Sequence, residues 1–274
     1  MSTSAKDAGC AVGAFVNGHE NIPAFEKLIG TKLAVVHWYI HWFEPFPKIE
    51  IENVPMLTWE PWVEGALNSI LSGKHDTYIK DFLTAAKEYG KPLLLRFAHE
   101  MNGNWYPWVG KEYKQAWAYI HNVKRELRAD NVNFVWCPNN ESLPSEPWNE
   151  FANYYPGDQY VDWVGLDGYN WGYDKWQAFD QVFGSAYNKL AALTNKPMMI
   201  GEFAAGEDGV HDKEAWIKDA FQKIRTKYPR LRLVCWFNIN KERDWRLKKP
   251  LKCVGLCDKM LLLKSPNEEN SQKD

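Results

Sequence analysis

Eight short apolar runs, spread along the whole chain, constrain this sequence more than any other feature. They are AVGAFV (11–16), LAVVHW (33–38), VPMLTW (54–59), LLLRFA (93–98), NFVWCP (133–138), DWVGLD (162–167), PMMIGE (197–202) and RLVCWF (232–237). Near-continuous apolar strands are buried on both faces, as in a parallel sheet. Helical patterns lie between them, most clearly at 75–89, 111–128, 174–193 and 212–227. In HDTYIKDFLTAAKEYG, Tyr78, Phe82 and Ala85 form one stripe, and Gly90 stops the helix. Eight strands alternating with helices in 274 residues predict a single (β/α)8 TIM barrel of the α/β class. The expected division is an N-terminal segment 1–10, a barrel over 11–264 and a disordered polar tail over 265–274. After residue 248, Pro250 and Gly255 interrupt the last helical stretch, so an atypical final helix is expected.

Composition narrows the partners. With 33 basic against 35 acidic residues, the chain has no charge excess for nucleic acid or an anionic membrane surface. No apolar run reaches 18 residues, so no membrane span is expected. Cys10, Cys137, Cys235, Cys253 and Cys257 form no disulfide framework. Cys253 and Cys257 lack a second ligand pair, so no metal is expected. The unusual count is 15 tryptophans with 13 tyrosines and 13 phenylalanines. Trp117, Trp176 and Trp216 fall in helices and are expected to pack on the barrel.

In such barrels the chemistry sits at the C-terminal ends of the strands. There the sequence places His37-Trp38, Trp59-Glu60-Pro61-Trp62, the segment from His99 to Trp108, Asn139-Asn140, the segment from Asp167 to Trp171, Gly201-Glu202 and Trp236-Phe237-Asn238. One rim thus collects carboxylates, amides and indole rings. Two carboxyls across an aromatic cleft are what glycosidic-bond hydrolysis requires, one protonated for the leaving oxygen and one ionised. Glu100 and Glu202 are the pair. With strand alternation, Arg96 shares the inward face with Glu100 and needs a buried carboxylate partner, either Glu202 or Glu60. A non-catalytic sugar-binding barrel would keep the rim but lose one carboxylate. A phosphate-binding barrel would want glycine-rich loops without the three carboxylates of GEFAAGEDG (201–209).

The segment LLLRFAHEMNGNWYPW (93–108) resembles the acid/base motif of glycoside hydrolase family 26, and KPMMIGEFA (196–204) its nucleophile strand. DWVGLDGYNWG (162–172) and VCWFNINKERDWRL (234–247) are similar to its sixth- and eighth-strand motifs. The resemblance implies a retaining endo-β-glycanase without cofactor, with Glu100 as acid/base and Glu202 as nucleophile. It implies that Tyr169 bonds the nucleophile, that His99 stands beside the acid, that Trp236 floors the attacked sugar and that Trp105 lies toward the leaving side. Substrate contacts are accordingly expected from His37, Trp59, His99, Asn102, Trp105, Trp108, Asn139, Asp167, Tyr169 and Trp236. The segments TWEPW (58–62), YYPGDQYVDWVGLDGYNWG (154–172) and WFNINKERDWRL (236–247) look closest to the lichenase branch, so mixed-linkage β-1,3-1,4-glucan is the expected polymer and β-mannan the alternative. A monomer acting on an extracellular polysaccharide is expected, although the first ten residues carry no signal-peptide pattern.

Overall fold

The structure, a computed structural model, describes residues 10–251. The expected closing helix and the polar tail lie outside the described residues, as does the start of the N-terminal segment.

Every apolar run forms a strand: β1 Ala11–Phe15, β2 Val35–His41, β3 Val54–Glu60, β4 Leu93–Phe97, β5 Val132–Trp136, β6 Trp163–Val164, β7 Asp167–Asn170, β8 Met198–Ala205 and β9 Leu231–Phe237. All pair in parallel, in the order β6-β5-β4-β3-β2-β1-β9-β8-β7. Both β6 and β7 also pair with β8, through Val164 on Met198 and Asp167 on Glu202. They are two halves of one stave, broken at residues 165–166, so nine strands close an eight-stave barrel.

The helices are α1 Ile22–Ile29, α2 Ala66–Leu71, α3 Asp76–Glu88, α4 Tyr113–Leu127, α5 Phe179–Leu193 and α6 Lys213–Lys227. Four match the expected segments. On α3 the buried stripe is Ile79, Phe82, Leu83 and Ala86, one residue round from the expected face. Helix α5 begins five residues late, because Asn170 Oδ1 accepts from Gln177 N and holds the preceding segment as a loop. The Asp212 side chain caps α6 by accepting from Ala215 N at 2.9 Å. Among the described residues the β2–β3 connection has no helix, and β5–β6 has only 3-10 turns.

Two apolar layers surround the staves. The inner one takes residues from every stave: Ala11, Val35, Met56, Leu94, Val135, Trp163, Met199 and Leu233 among them. The outer one joins the alternate strand residues to the helices. This parity decides which strand-end residues can reach the site, because side chains alternate across a strand. One step above the inner apolar layer the barrel becomes polar, with His37, Thr58, Arg96, Asp167 and Glu202 all buried.

Candidate active site

Glu202 faces inward because β8 is irregular. Ile200 pairs with Val234 and Phe203 with Trp236, so Gly201 and Glu202 together oppose Cys235 alone. A bulge of this kind re-aims a side chain. It sets both Gly201 and Glu202 toward the barrel axis, while Ile200 and Phe203 both join the outer layer. Gly201 must lack a side chain: a Cβ there would lie 2.6 Å from Asp167 Oδ1 and 2.8 Å from Arg96 Nη1.

Arg96, fully buried on β4, organises the layer. Its Nε donates to Thr58 Oγ1 at 2.8 Å, its Nη1 to both Asp167 oxygens at 2.8 and 2.7 Å, and its Nη2 to Glu202 Oε1. Nη2 also lies 3.2 Å from His37 Nε2, which is 2.7 Å from Thr58 Oγ1. The Thr58 oxygen accepts from arginine, so its proton is free for His37 Nε2. That makes His37 a neutral acceptor. Burial, then the adjacent guanidinium, pushes its pKa down to about 3. Tyr39 donates to Glu202 Oε1 at 2.5 Å, and Tyr169 donates to Oε2. Burial alone would raise the Glu202 pKa. Arg96 opposes it, with smaller contributions from His99, His37 and the Tyr169 bond, and the net pKa falls well below the usual carboxylate range. Both histidines are themselves pushed toward the neutral form, so Arg96 is the cation that decides the outcome near neutrality.

Glu100 follows β4 in a break from the strand, with Ala98 at φ 43° and itself at φ 50°. Its amide donates to Cys137 O at 2.8 Å, which fixes the break. Asn139 Nδ2 donates to Oε1 at 2.8 Å and Trp105 Nε1 to Oε2 at 2.7 Å. Neither donor carries charge. Burial, then the nearby Glu202 charge, raises the Glu100 pKa to about 7. His99 has its Nε2 3.0 Å from the Tyr106 hydroxyl and 4.0 Å from Glu202 Oε1.

Of the residues expected to contact substrate, the structure gathers His99, Trp105, Asn139 and Tyr169 around the carboxyl pair, and it engages the others elsewhere. His37 is mid-strand, because β2 runs on to His41, and it lies beneath the site. Asp167 is fully buried and spent on Arg96. Asn102 is fully buried, donating to Asn139 O and Ser142 Oγ and accepting from Asn139 N; it ties two loops together. Trp108 is fully buried, with Nε1 on His99 O and its ring stacked on Tyr106 at 4.3 Å. Trp59 points to the helices, stacked on Phe82 at 4.3 Å. Trp236 also has outward parity. It meets Phe203 edge-on at 5.1 Å, has Lys213 Nζ over its ring and donates to Trp245 O. The inward residue is its neighbour Phe237, 5.8 Å from Tyr169. Trp236→Ala should therefore lower stability by about 3–5 kcal/mol, as a core aromatic does. Thermal unfolding checks this, and an unchanged melting temperature with lost activity would return Trp236 to the cleft.

The strand-end reading passed over Tyr39, whose signal was its position two residues beyond His37. It also passed over Trp245, 4.9 Å from the Tyr169 ring. Exposed rings in the segments that follow the strands include Phe43, Trp62, Trp105, Trp148, Trp171 and Tyr173. His99, Asp167 and Glu202 lie close enough together to share a cation. Arg96 already occupies both carboxylates, so a metal would have to displace a guanidinium.

Residues 53–253 match the sequence profile described as glycosyl hydrolase family 26. The chain belongs to this family. Endoglucanase H of Acetivibrio thermocellus is 38% identical over 266 residues, covering 88% of this chain and 29% of that protein. A mannan endo-1,4-beta-mannosidase of Bacillus subtilis is 32% identical over 165 residues, 55% of this chain and 40% of the relative. This family 26 chain thus spans less than half the length of either relative. The solved Bacillus subtilis mannanase man26 superposes with a TM-score of 0.65 at 20% identity, over 91% of this chain and 85% of that one, a likeness of fold.

Proposed function

We propose that this family 26 chain is a retaining endo-β-glycanase that cuts β-1,4 bonds in mixed-linkage β-1,3-1,4-glucan. The observation that carries the reading is the unlike surroundings of two buried carboxyls, a guanidinium on Glu202 and only neutral donors on Glu100. Glu202 is kept ionised beside Arg96, and Glu100 keeps its proton to about pH 7 between two neutral donors. Glu202 would attack the anomeric carbon while Glu100 protonates the departing oxygen. Glu100, then ionised, would take a proton from the water that releases the sugar. The cycle balances without a cofactor. Trp62, Trp105 and Trp171 offer apolar faces for pyranose rings at the rim.

Glucan is favoured over mannan because the match to Endoglucanase H extends over 88% of the chain and that to the mannan-cleaving relative over 55%. An endo-β-1,4-mannanase is the second reading, supported by the mannosidases among the relatives. A polymeric substrate implies an extracellular site of action, and a monomer suffices for the cycle. Reducing-sugar release from lichenan, barley β-glucan, glucomannan and galactomannan tests the substrate. Proton NMR of the first product tests the stereochemistry. The expected result is lichenan cleavage with the β-anomer formed first. Cleavage of galactomannan alone would transfer the assignment to mannan, and an α-anomer would remove Glu202 as nucleophile.

A further inference from the structure

The two oxygens of Glu202 have unequal surroundings. Oε1 accepts from both Tyr39 and Arg96, whereas Oε2 accepts, among the described residues, from Tyr169 alone. An oxygen already taking two donors has less lone-pair density to offer carbon. We propose that Oε2 is the atom that attacks the anomeric carbon, and that Tyr39 is a positioning residue which, through Oε1, promotes breakdown of the glycosyl-enzyme rather than its formation. The inference rests on the retaining reading above.

Charge at Oε1 changes through the cycle. In the first step an Oε2 lone pair bonds to the anomeric carbon. The glycosidic C–O bond breaks, and the leaving oxygen takes the Glu100 proton. Oε1 is then the carbonyl oxygen of an ester and has lost most of its charge. In the second step water attacks the anomeric carbon and gives a proton to Glu100. The C–Oε2 bond breaks, its electron pair returns to the carboxylate, and charge reappears on Oε1. The hydrogen bond from Tyr39 is therefore strong in the free enzyme, weak in the ester and growing as the ester breaks. A bond that strengthens on the way to a transition state accelerates that step, and one that fades does not. Tyr39 is 163 residues from Glu202 in sequence and reaches it only because β2 continues past its apolar run.

Tyr39→Phe removes the hydroxyl and keeps a ring against His37, at 4.6 Å, and Phe15, at 5.3 Å. The probe is 2,4-dinitrophenyl β-cellobioside, or the mannobioside if mannan is the polymer cleaved, because dinitrophenolate leaves without a proton. Stopped-flow absorbance follows the burst, and mass spectrometry of quenched enzyme counts the disaccharide adduct. The expected result is a kcat lowered about tenfold, equivalent to 1.4 kcal/mol, with kcat/KM not lowered and the adduct dominant at steady state. Parallel loss of kcat and kcat/KM, or no loss in either, overturns the role of Tyr39. If the wild type inverts configuration, the retaining reading itself has failed, and the inference falls with it.

Discussion

Glu202→Ala should abolish hydrolysis of every substrate, whereas Glu100→Ala should abolish it only where the leaving group needs a proton. General acid catalysis contributes about 10²–10⁴-fold, so Glu100→Ala should lose roughly that much on polysaccharide. On a dinitrophenyl glycoside the covalent intermediate should still form, and its hydrolysis should be slow. Azide should then restore turnover and yield the β-glycosyl azide. In Glu202→Ala no intermediate forms, so azide should give the α-azide or nothing. The pH profile provides a second check. Because burial and the Glu202 charge raise the Glu100 pKa to about 7, wild-type kcat/KM on polysaccharide should fall as pH rises through that value. The fall reflects loss of the proton the leaving oxygen needs. On dinitrophenyl glycoside the Glu100→Ala variant should lack that alkaline limb. An α-azide from Glu100→Ala and a β-azide from Glu202→Ala would mean that the two roles are reversed.

Arg96→Met should cost both activity and stability. Removing one partner of a buried ion pair costs about 3–5 kcal/mol, because the other charge stays behind unpaired. Here Arg96 bonds two buried carboxylates, Asp167 and Glu202, so the loss should lie toward the upper end. Urea unfolding at pH 7 measures it. The sign with pH is distinctive. Arg96 depresses the Glu202 pKa, so the stability it supplies through that carboxylate is present above the unfolded pKa and lost as pH falls through the folded one. Protonated carboxyls need no cation, so the gap between variant and wild type should narrow in acid. A gap independent of pH would make Arg96 a packing residue. Arg96→Lys keeps the charge without the fork and should recover only part of the loss.

The staves were legible because strands buried on both faces must be written in apolar residues. The same rule hid the length of β2: Tyr39 and His41 continue it as inward polar residues, so the apolar run stops where the site begins. The carboxyl pair was legible from residue type and position, and the roles proposed for it rest on resemblance to a known motif. Parity was the harder part. Trp59 ends an apolar run and Trp236 is the last residue but one of another, as cleft residues would be, yet each faces the helices, and Phe237 and Glu60 face the axis. A strand end shows which residues are near the mouth, but only the register shows which side they take. The bulge at Gly201–Glu202 is harder still, since nothing local distinguishes it from regular alternation. The crowding that forbids a side chain at Gly201 comes from Arg96 and Asp167, far away in sequence.

The contacts around Arg96 also bear on how the barrel assembles. Its partners come from β2, β3, β7, β8 and Cys137 just past β5, and the bond to Glu202 spans 106 residues. A chain that has paired only its first four strands has no carboxylate from the second half for that guanidinium, so a half-barrel buries an uncompensated charge or leaves its mouth open to water. Long-range pairings of this kind are slow to form and reward the chain only at the end. The ionisation of Glu202 is thus a property of the closed ring alone. During refolding, catalytic competence should return with the last cooperative step, after secondary structure has recovered, so that activity serves as a clock for closure.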